Sequence, residues 1–155
     1  MRKQYRFYNK GGDDRRDEQK RNSSDRETGR VRKQYHFWPS ADGVDAWDVD
    51  RVIALATVLP VEPVRLAEIS EVDSVYWFDD RHRPTVRSVV DHCRLIRDVD
   101  FTYPVVLGPD GRVMDGMHRI AKALLEGASV IDAVRFPELP PPDYPNCRPD
   151  QLPYD

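Results

Sequence analysis

One stretch constrains the fold of this chain most. In it, a hairpin-like apolar segment ends in a glycine turn, and a helical pattern follows. Apolar residues at 105–107 and 113–114 flank a Gly-Pro-Asp-Gly sequence, which is typical of a β-turn. Gly116 follows, and glycine allows sharp turns that a residue with a Cβ atom resists. Gly127 stands where helices commonly end, and the apolar residues before it recur on one helical face: Ile120, Ala121, Leu124 and Leu125. The sequence therefore predicts a strand, a tight turn and a helix.

Three polar residues surround the predicted turn. Asp115 precedes the glycine, and His118 and Arg119 open the helix. A helix that starts directly after a glycine turn directs its free N–H groups and its dipole at whatever lies there. An acid, an imidazole and a guanidinium at that point suit a phosphate group. The alternative is an ordinary strand–helix corner with a few exposed polar residues.

The segment Asp-Gly-Met-His-Arg, residues 115–119, resembles the core motif of the ParB N-terminal/sulfiredoxin superfamily. Its flanks agree: residues 66–69 resemble the entry to the first strand, 103–107 a "P-I-x-V" strand, and 130–136 the closing strand. The resemblance covers roughly residues 61–136. It implies a mixed α+β fold, in which helices pack on a small mixed sheet.

The resemblance narrows the range of reactions that this chain is expected to catalyse. Sulfiredoxins carry a reactive Cys where this chain has Met117, which excludes their reaction. ParB proteins continue into a DNA-binding helix-turn-helix region, whereas a Pro-rich segment follows here. The superfamily's free serine kinases carry Asp-Gly-His-His-Arg, which is the closest match, and they have a catalytic glutamate on the loop after the first strand. The matching position here is Asp73, an aspartate with a shorter side chain.

Three hypotheses follow. The chain is a small-molecule kinase or nucleotide hydrolase, a nucleotide-binding module without turnover, or a DNA-associated partition-type accessory protein. In the first, Asp73 and His118 are the catalytic residues and a small hydroxyl compound is the substrate. The expected ligand is ATP, ADP or CTP with Mg²⁺, and no metal ligand from the protein is assigned. The candidate nucleotide-binding residues are Thr102, Asp115, Gly116, Met117, His118 and Arg119.

Charge divides the chain into a basic arm and an acidic body. Residues 1–36 hold 12 Lys/Arg and 6 Asp/Glu, net +6, whereas residues 37–155 hold 12 and 21, net −9. An acidic body disfavours nucleic-acid binding by the folded part, and the basic arm with its aromatics offers at most weak contact. We expect a disordered arm at 1–33, a domain at 34–136 and a Pro-rich tail at 137–155, which has seven prolines in 19 residues.

No membrane span is expected, because no apolar run approaches the ~20 residues required. No signal peptide is expected either, because the N-terminus is charged and no apolar h-region follows it. Two distant cysteines, Cys93 and Cys147, are expected as free thiols in a reducing cytoplasm. The polar cluster Asp79, Asp80 and His82 could bind a metal, but adjacent side chains in an extended segment point apart, which favours a solvated loop.

The remaining pattern predicts further elements. We expect a helix over residues 42–59 and an edge strand at 61–66. Residues 75–78 are expected to form either a short aromatic strand or an insertion into the core. A second helix begins after Thr85. Its apolar face is expected to comprise Val86, Val89, Val90, Cys93 and Ile96.

Overall fold

The computed structural model describes residues 33–80 and 82–154. The predicted arm at 1–33 lies outside these residues except for Lys33. The described residues cluster into two compact units, one of residues 33–48 and 142–154, the other Val49–Pro141. Each is described by itself.

The first unit is a three-stranded antiparallel sheet. Strands β1 (Tyr35–Pro39), β2 (Val44–Asp48) and β7 (Tyr144–Cys147) lie in the order β1-β2-β7. Tyr35 is buried against Ala46 and Leu152, and its ring packs edge-on against Tyr144 and Tyr154 at centroid distances of 5.7 and 5.4 Å. These aromatic contacts form the core of this unit.

Two sequence expectations need correction in this unit. The helix expected over residues 42–59 is only Val49–Ala56 (α1), because the residues before it form β2 and pair with β1. Gly43 precedes β2, and a Cβ there would lie 2.7 Å from the Cys147 carbonyl oxygen. The second correction concerns the segment at 137–155, which contains β7 and a 3₁₀ turn at Pro149–Gln151 and is therefore more than an extended tail.

The second unit contains α1 and a four-stranded sheet. Its strands are β3 (Glu62–Arg65), β4 (Val105–Leu107), β5 (Val113–Asp115) and β6 (Val130–Arg135), in the order β3-β6-β4-β5. The β4–β6 pair is parallel, and the β3–β6 and β4–β5 pairs are antiparallel. The sheet is therefore mixed, and with the helices it confirms the α+β class. The edge position of β3 and the β4–β5 hairpin also agree with the sequence.

Helices α2 (Val86–Asp98) and α3 (Met117–Leu125) complete this unit, together with two short 3₁₀ turns, Leu66–Glu68 and Ser70–Asp73. Thr85 caps α2 with a reciprocal capping box to Ser88, as expected. The predicted apolar face of α2 is not a core face: no residue of this helix is buried, and Val86 is 85 % exposed. Of the two alternatives for residues 75–78, the aromatic strand is wrong, because the segment is irregular chain, and the side chains of Tyr76, Trp77 and Phe78 are partly buried.

Buried residues of β4, β5 and α3 form the centre of the second unit. All residues of β4 and β5 are buried, and Ile120 and Ala123 of α3 are buried as well. The turn between β5 and α3 therefore lies in the core rather than at the rim. Within the part of the chain that the structure describes, no helix is both long and apolar enough to cross a membrane.

Candidate functional site

The turn between β5 and α3 depends on Gly116. Its φ is +112°, a left-handed conformation that favours glycine. A Cβ atom at this position would lie 2.8 Å from Nη2 of Arg119 and 3.1 Å from Cγ2 of Val105. The carbonyl oxygen of Gly116 accepts the first helical bond from the Ile120 N–H at 3.0 Å. Both the backbone angle and the close approach of Arg119 therefore require glycine.

Asp115 and Arg119 form a buried ion pair across this turn. The distance from Nη2 of Arg119 to Oδ2 of Asp115 is 2.9 Å, and their side chains are 3 % and 0 % exposed. The same Nη2 donates to the carbonyl oxygen of Pro104 at 3.2 Å. The Nε–H of Arg119 is buried and has no hydrogen-bond partner among the described residues. One donor of a buried guanidinium thus remains available for an acceptor.

His118, in the first turn of α3, is joined to His92 of α2. The distance from Nε2 of His118 to Nδ1 of His92 is 2.9 Å. The ring centroids are 5.2 Å apart and the planes differ by 18°. A short nitrogen–nitrogen contact with distant centroids and near-parallel planes means that the rings lie edge to edge, not face to face. The contact is an in-plane hydrogen bond, in which one nitrogen carries the proton and the other accepts it.

Trp77 covers both imidazoles. Its ring centroid lies 4.6 Å from that of His92 and 4.9 Å from that of His118, with interplanar angles of 21° and 17°. The Phe78 ring lies nearly perpendicular to the His92 ring, with their centroids 5.5 Å apart. The aromatic residues of the irregular segment after the second 3₁₀ turn therefore form the cover of the histidine pair.

The environment of the pair favours neutral imidazoles. Burial, with added effects of His92 and Arg119, lowers the pKa of His118 to about 4, although Asp115 acts in the opposite direction. Burial also lowers the pKa of His92, against the opposing charge of Asp91. Both rings are therefore neutral near pH 7.

A second carboxylate lies beside β5. Oε2 of Glu71 accepts a hydrogen bond from the Val113 N–H at 2.6 Å. Burial raises the pKa of Glu71, although this hydrogen bond and the nearby Arg112 act in the opposite direction. Burial, and then the charges of Glu71 and Asp115, raise the pKa of the Tyr76 hydroxyl. Glu71 is thus the carboxylate of the loop after β3 that contacts the strand leading to the turn.

The structure brings five of the predicted site residues together, namely Asp115, Gly116, Met117, His118 and Arg119, all of which are buried. Thr102 is exposed, and its N–H and hydroxyl both bind Oδ1 of Asp100, at 2.8 and 2.7 Å. Asp73 is also exposed, at the end of a 3₁₀ turn. The described contacts do not bring Thr102 or Asp73 to the turn.

Sequence reasoning missed Glu71, Trp77 and His92. Glu71 precedes Asp73 by two positions and is a glutamate, as is the catalytic residue of the free serine kinases to which the sequence was compared. His92 belongs to a helical stripe at i, i+4, i+7 and i+8, but two of its four members are polar: Ser88, His92, Leu95 and Ile96. The predicted face, which contains Val86, Val89 and Val90, is more apolar than this stripe. A search for apolar residues at helical spacing therefore selects the wrong face of α2.

The cluster Asp79, Asp80 and His82 resolves into a local turn, in which Oδ1 of Asp79 accepts from the His82 N–H at 2.6 Å. Among the residues that the structure describes, no group of three or more His, Cys, Asp or Glu side chains is placed to hold a metal ion.

No protein-family model matches this chain, and neither a curated protein nor a solved structure is significantly similar to it.

Proposed function

We propose that this protein is a nucleotide-binding domain of the ParB/sulfiredoxin kind, which binds nucleotide phosphates at the Gly116 turn. The observation that carries the proposal is the buried Nε–H of Arg119, which has no partner among the described residues although it lies beside a helix N-terminus. A buried donor without an acceptor is costly, and a phosphate oxygen supplies a strong one. The helix dipole favours an anion at the same place.

The reaction class that fits best is phosphoryl transfer from the nucleotide to a small hydroxyl compound. A neutral His118 at the turn has the donor and acceptor chemistry for handling a proton there. Among the acids on the loop after β3, Glu71 contacts β5 whereas Asp73 is exposed. We therefore add Glu71 to Asp73 as a candidate carboxylate that orients the hydroxyl, whose proton goes to His118 in this proposal. In this proposal Mg²⁺ arrives with the nucleotide and neutralises its phosphate charge.

Access to the turn requires a movement in this proposal. Asp115, His118 and Arg119 are 0 %, 5 % and 2 % exposed, so a nucleotide cannot reach them in the described conformation. Trp77 covers His118 from a segment without helix or strand, and such segments move more readily than packed elements. We propose that displacement of Trp77 admits the nucleotide, and that the protein acts in the cytoplasm, where nucleotides are present.

A thermal-shift panel tests the proposal. The full chain is melted with inorganic phosphate, ADP, ATP and CTP, each with and without Mg²⁺. A ligand that binds only the folded state raises the melting temperature, by an amount equivalent to about 2.7 kcal/mol at one hundred times its Kd. A rise with nucleotides that exceeds the rise with phosphate supports the proposal. An unchanged melting temperature at millimolar concentrations of every ligand contradicts it. Binding without release of ADP from ATP, in the presence of hydroxyl compounds, favours a nucleotide-binding module without turnover.

A further inference from the structure

The hydrogen bond to His118 links His92 to the β5–α3 turn. His92 lies on α2, one helix away from the turn, and reaches His118 through the edge-to-edge hydrogen bond of 2.9 Å. The indole of Trp77 lies nearly parallel over both rings, and the ring of Phe78 lies nearly perpendicular to that of His92. Three elements therefore hold the two imidazoles in one plane, which is more constraint than either ring needs to fill space.

The hydrogen bond limits how many protons the pair can hold. With both rings neutral, one proton lies between the two nitrogens and one is carried on an outer nitrogen. A third proton gives an imidazole bound to an imidazolium, with the bond intact. A fourth would place two N–H groups against each other and break the bond. The pair can therefore carry one positive charge but not two, and its two rings titrate together.

The surroundings of the two rings differ. His118 is 5 % exposed and lies beside the Arg119 guanidinium, at the N-terminus of α3, although Asp115 opposes these effects. His92 is only partly buried, and Asp91 is the charged group that acts on it. Trp77 and Phe78, which cover the rings, carry no charge. A cation is therefore more stable on His92 than on His118.

We propose that His92 is a positioning residue of the site, which shares a proton with His118 and carries the positive charge that the pair takes up. Its catalytic meaning depends on the proposed phosphoryl transfer. As a hydroxyl attacks the terminal phosphate, the new O–P bond forms and the bond to the nucleoside diphosphate breaks. The hydroxyl proton goes to Nδ1 of His118, and the shared proton passes from Nε2 of His118 to Nδ1 of His92. His118, the more buried ring, thus accepts a proton but remains neutral, because the positive charge moves to His92.

Nuclear magnetic resonance of the imidazole nitrogens tests this inference on the full chain, without any ligand. Long-range proton–nitrogen spectra are recorded from pH 8 downward. We expect Nε2 of His118 to carry the shared proton at pH 8, and to become the unprotonated acceptor as His92 takes up the first positive charge. Each curve should also show the titration of its neighbour. Two independent curves, or an imidazolium that forms first on His118, would overturn the inference.

Two substitutions separate hydrogen bonding from packing. His92→Asn places an amide near the position of Nδ1 and can keep the bond, whereas His92→Phe keeps a ring under Trp77 but has no nitrogen. We expect His118 to keep a single tautomer in His92→Asn and to become a mixture of two tautomers in His92→Phe. His82→Asn, a control elsewhere on the chain, should leave the His118 signals unchanged. Equal tautomer populations at His118 in both His92 variants would show that His92 only fills space, which contradicts the proposal.

The nitrogen spectra also separate the two proposals. A coupled pair in a protein that binds no nucleotide would leave the positioning role standing and remove the phosphoryl-transfer function. Nucleotide binding with two independent histidines would have the opposite effect.

Discussion

At the scale of single residues, the β5–α3 turn places steric and electrostatic constraints on the residues that form it. Gly116 must accept a left-handed backbone and leave room for Nη2 of Arg119. The guanidinium of Arg119 must lose its hydration to pair with Asp115 and with the carbonyl oxygen of Pro104. Buried ion pairs add little net stability compared with apolar residues of the same shape, and breaking one is costly. The stability of the fold therefore gives little reason for this pair, whereas the proposed binding of phosphate at the turn would give one.

We expect Gly116→Ala to destabilise the protein more than Gly127→Ala. Both glycines have positive φ, +112° and +74°, so each substitution incurs backbone strain of about 1–2 kcal/mol. A Cβ on Gly127 meets nothing within 4 Å, whereas one on Gly116 meets Arg119 and Val105. The additional overpacking at Gly116 should cost about 1–3 kcal/mol in the free energy of unfolding, measured by urea denaturation. Equal losses in the two variants would show that the close contact at Gly116 is not a constraint.

The pH dependence of stability should report on His118. Its pKa falls from 6.5 in the unfolded chain to about 4 in the folded protein, because of burial, His92 and Arg119. The unfolded state therefore binds more protons between these values, and stability is full above pH 6.5 and declines as the pH falls towards 4. The loss is on the order of 3 kcal/mol. In His118→Phe the decline across this window should be smaller by about that amount. Parallel declines in both proteins would contradict the assignment.

At the scale of elements, the link between α2 and α3 positions the histidine pair. Lys122 of α3 donates to the carbonyl oxygens of Arg97 and Val99 at the C-terminal end of α2, at 3.2 and 2.9 Å. Its ammonium also lies 5.2 Å from the centre of the Phe101 ring. A cation at a helix C-terminus is favoured by the dipole and satisfies carbonyl groups that have no partner within the helix. Lys122 thus connects the end of the helix that carries His92 to the helix that carries His118.

Lys122→Met should remove this link while it keeps the length of the side chain. We expect a loss of about 1–2 kcal/mol in the free energy of unfolding, in the range of hydrogen bonds to charged groups that are partly exposed. Arg94→Met is the control, because it removes a cation from α2 whose pair with Asp91 is exposed, and exposed pairs add little. An unchanged stability in Lys122→Met, measured beside the control, would show that the two helices are held by other contacts.

The sequence was informative where an element is determined locally. Gly116 and the capping residue Thr85 marked helix starts correctly, because backbone freedom and side-chain caps act within a few residues. It failed where distant residues decide the outcome. Residues 44–48 resemble a helix start but form β2, since pairing with β1 and β7 overrides local preference. His92 was not singled out, because a hydrogen bond to a residue 26 positions away leaves no local pattern.

At the scale of the whole molecule, the two compact units differ in what the sequence could predict. The resemblance covers residues 61–136, which lie within the unit Val49–Pro141, and the expectation of a mixed sheet was confirmed there. The three-stranded sheet was not expected, because β7 comes from a segment with many prolines. Pro145 lies within that strand, at an edge of the sheet, where a missing N–H donor is tolerated.

The two ends of the chain should differ in their effect on folding. Residues 1–30 have hardly any apolar side chains, so we expect a variant that lacks them to melt at nearly the same temperature as the full chain. Removal of residues 144–155 should instead lower the melting temperature, because β1 and β2 would remain as a two-stranded hairpin, which is marginally stable in water. Calorimetry of both truncated chains checks this. A large loss on removal of residues 1–30 would show that the arm packs against the folded part.

Isothermal titration of ATP with Mg²⁺ into the full chain tests the central claim, nucleotide binding at the Gly116 turn, most directly. The account predicts binding that Arg119→Ala weakens by about 1.5–3 kcal/mol, the range of hydrogen bonds to charged groups. Arg148→Ala, which removes an exposed arginine from the other unit, should bind as the unchanged chain does. If Arg119→Ala does not remain folded, Arg119→Lys keeps the charge without the Nε–H donor and should also bind more weakly. No heat of binding at millimolar ATP, or equal affinities in the Arg119 and Arg148 variants, would contradict the account.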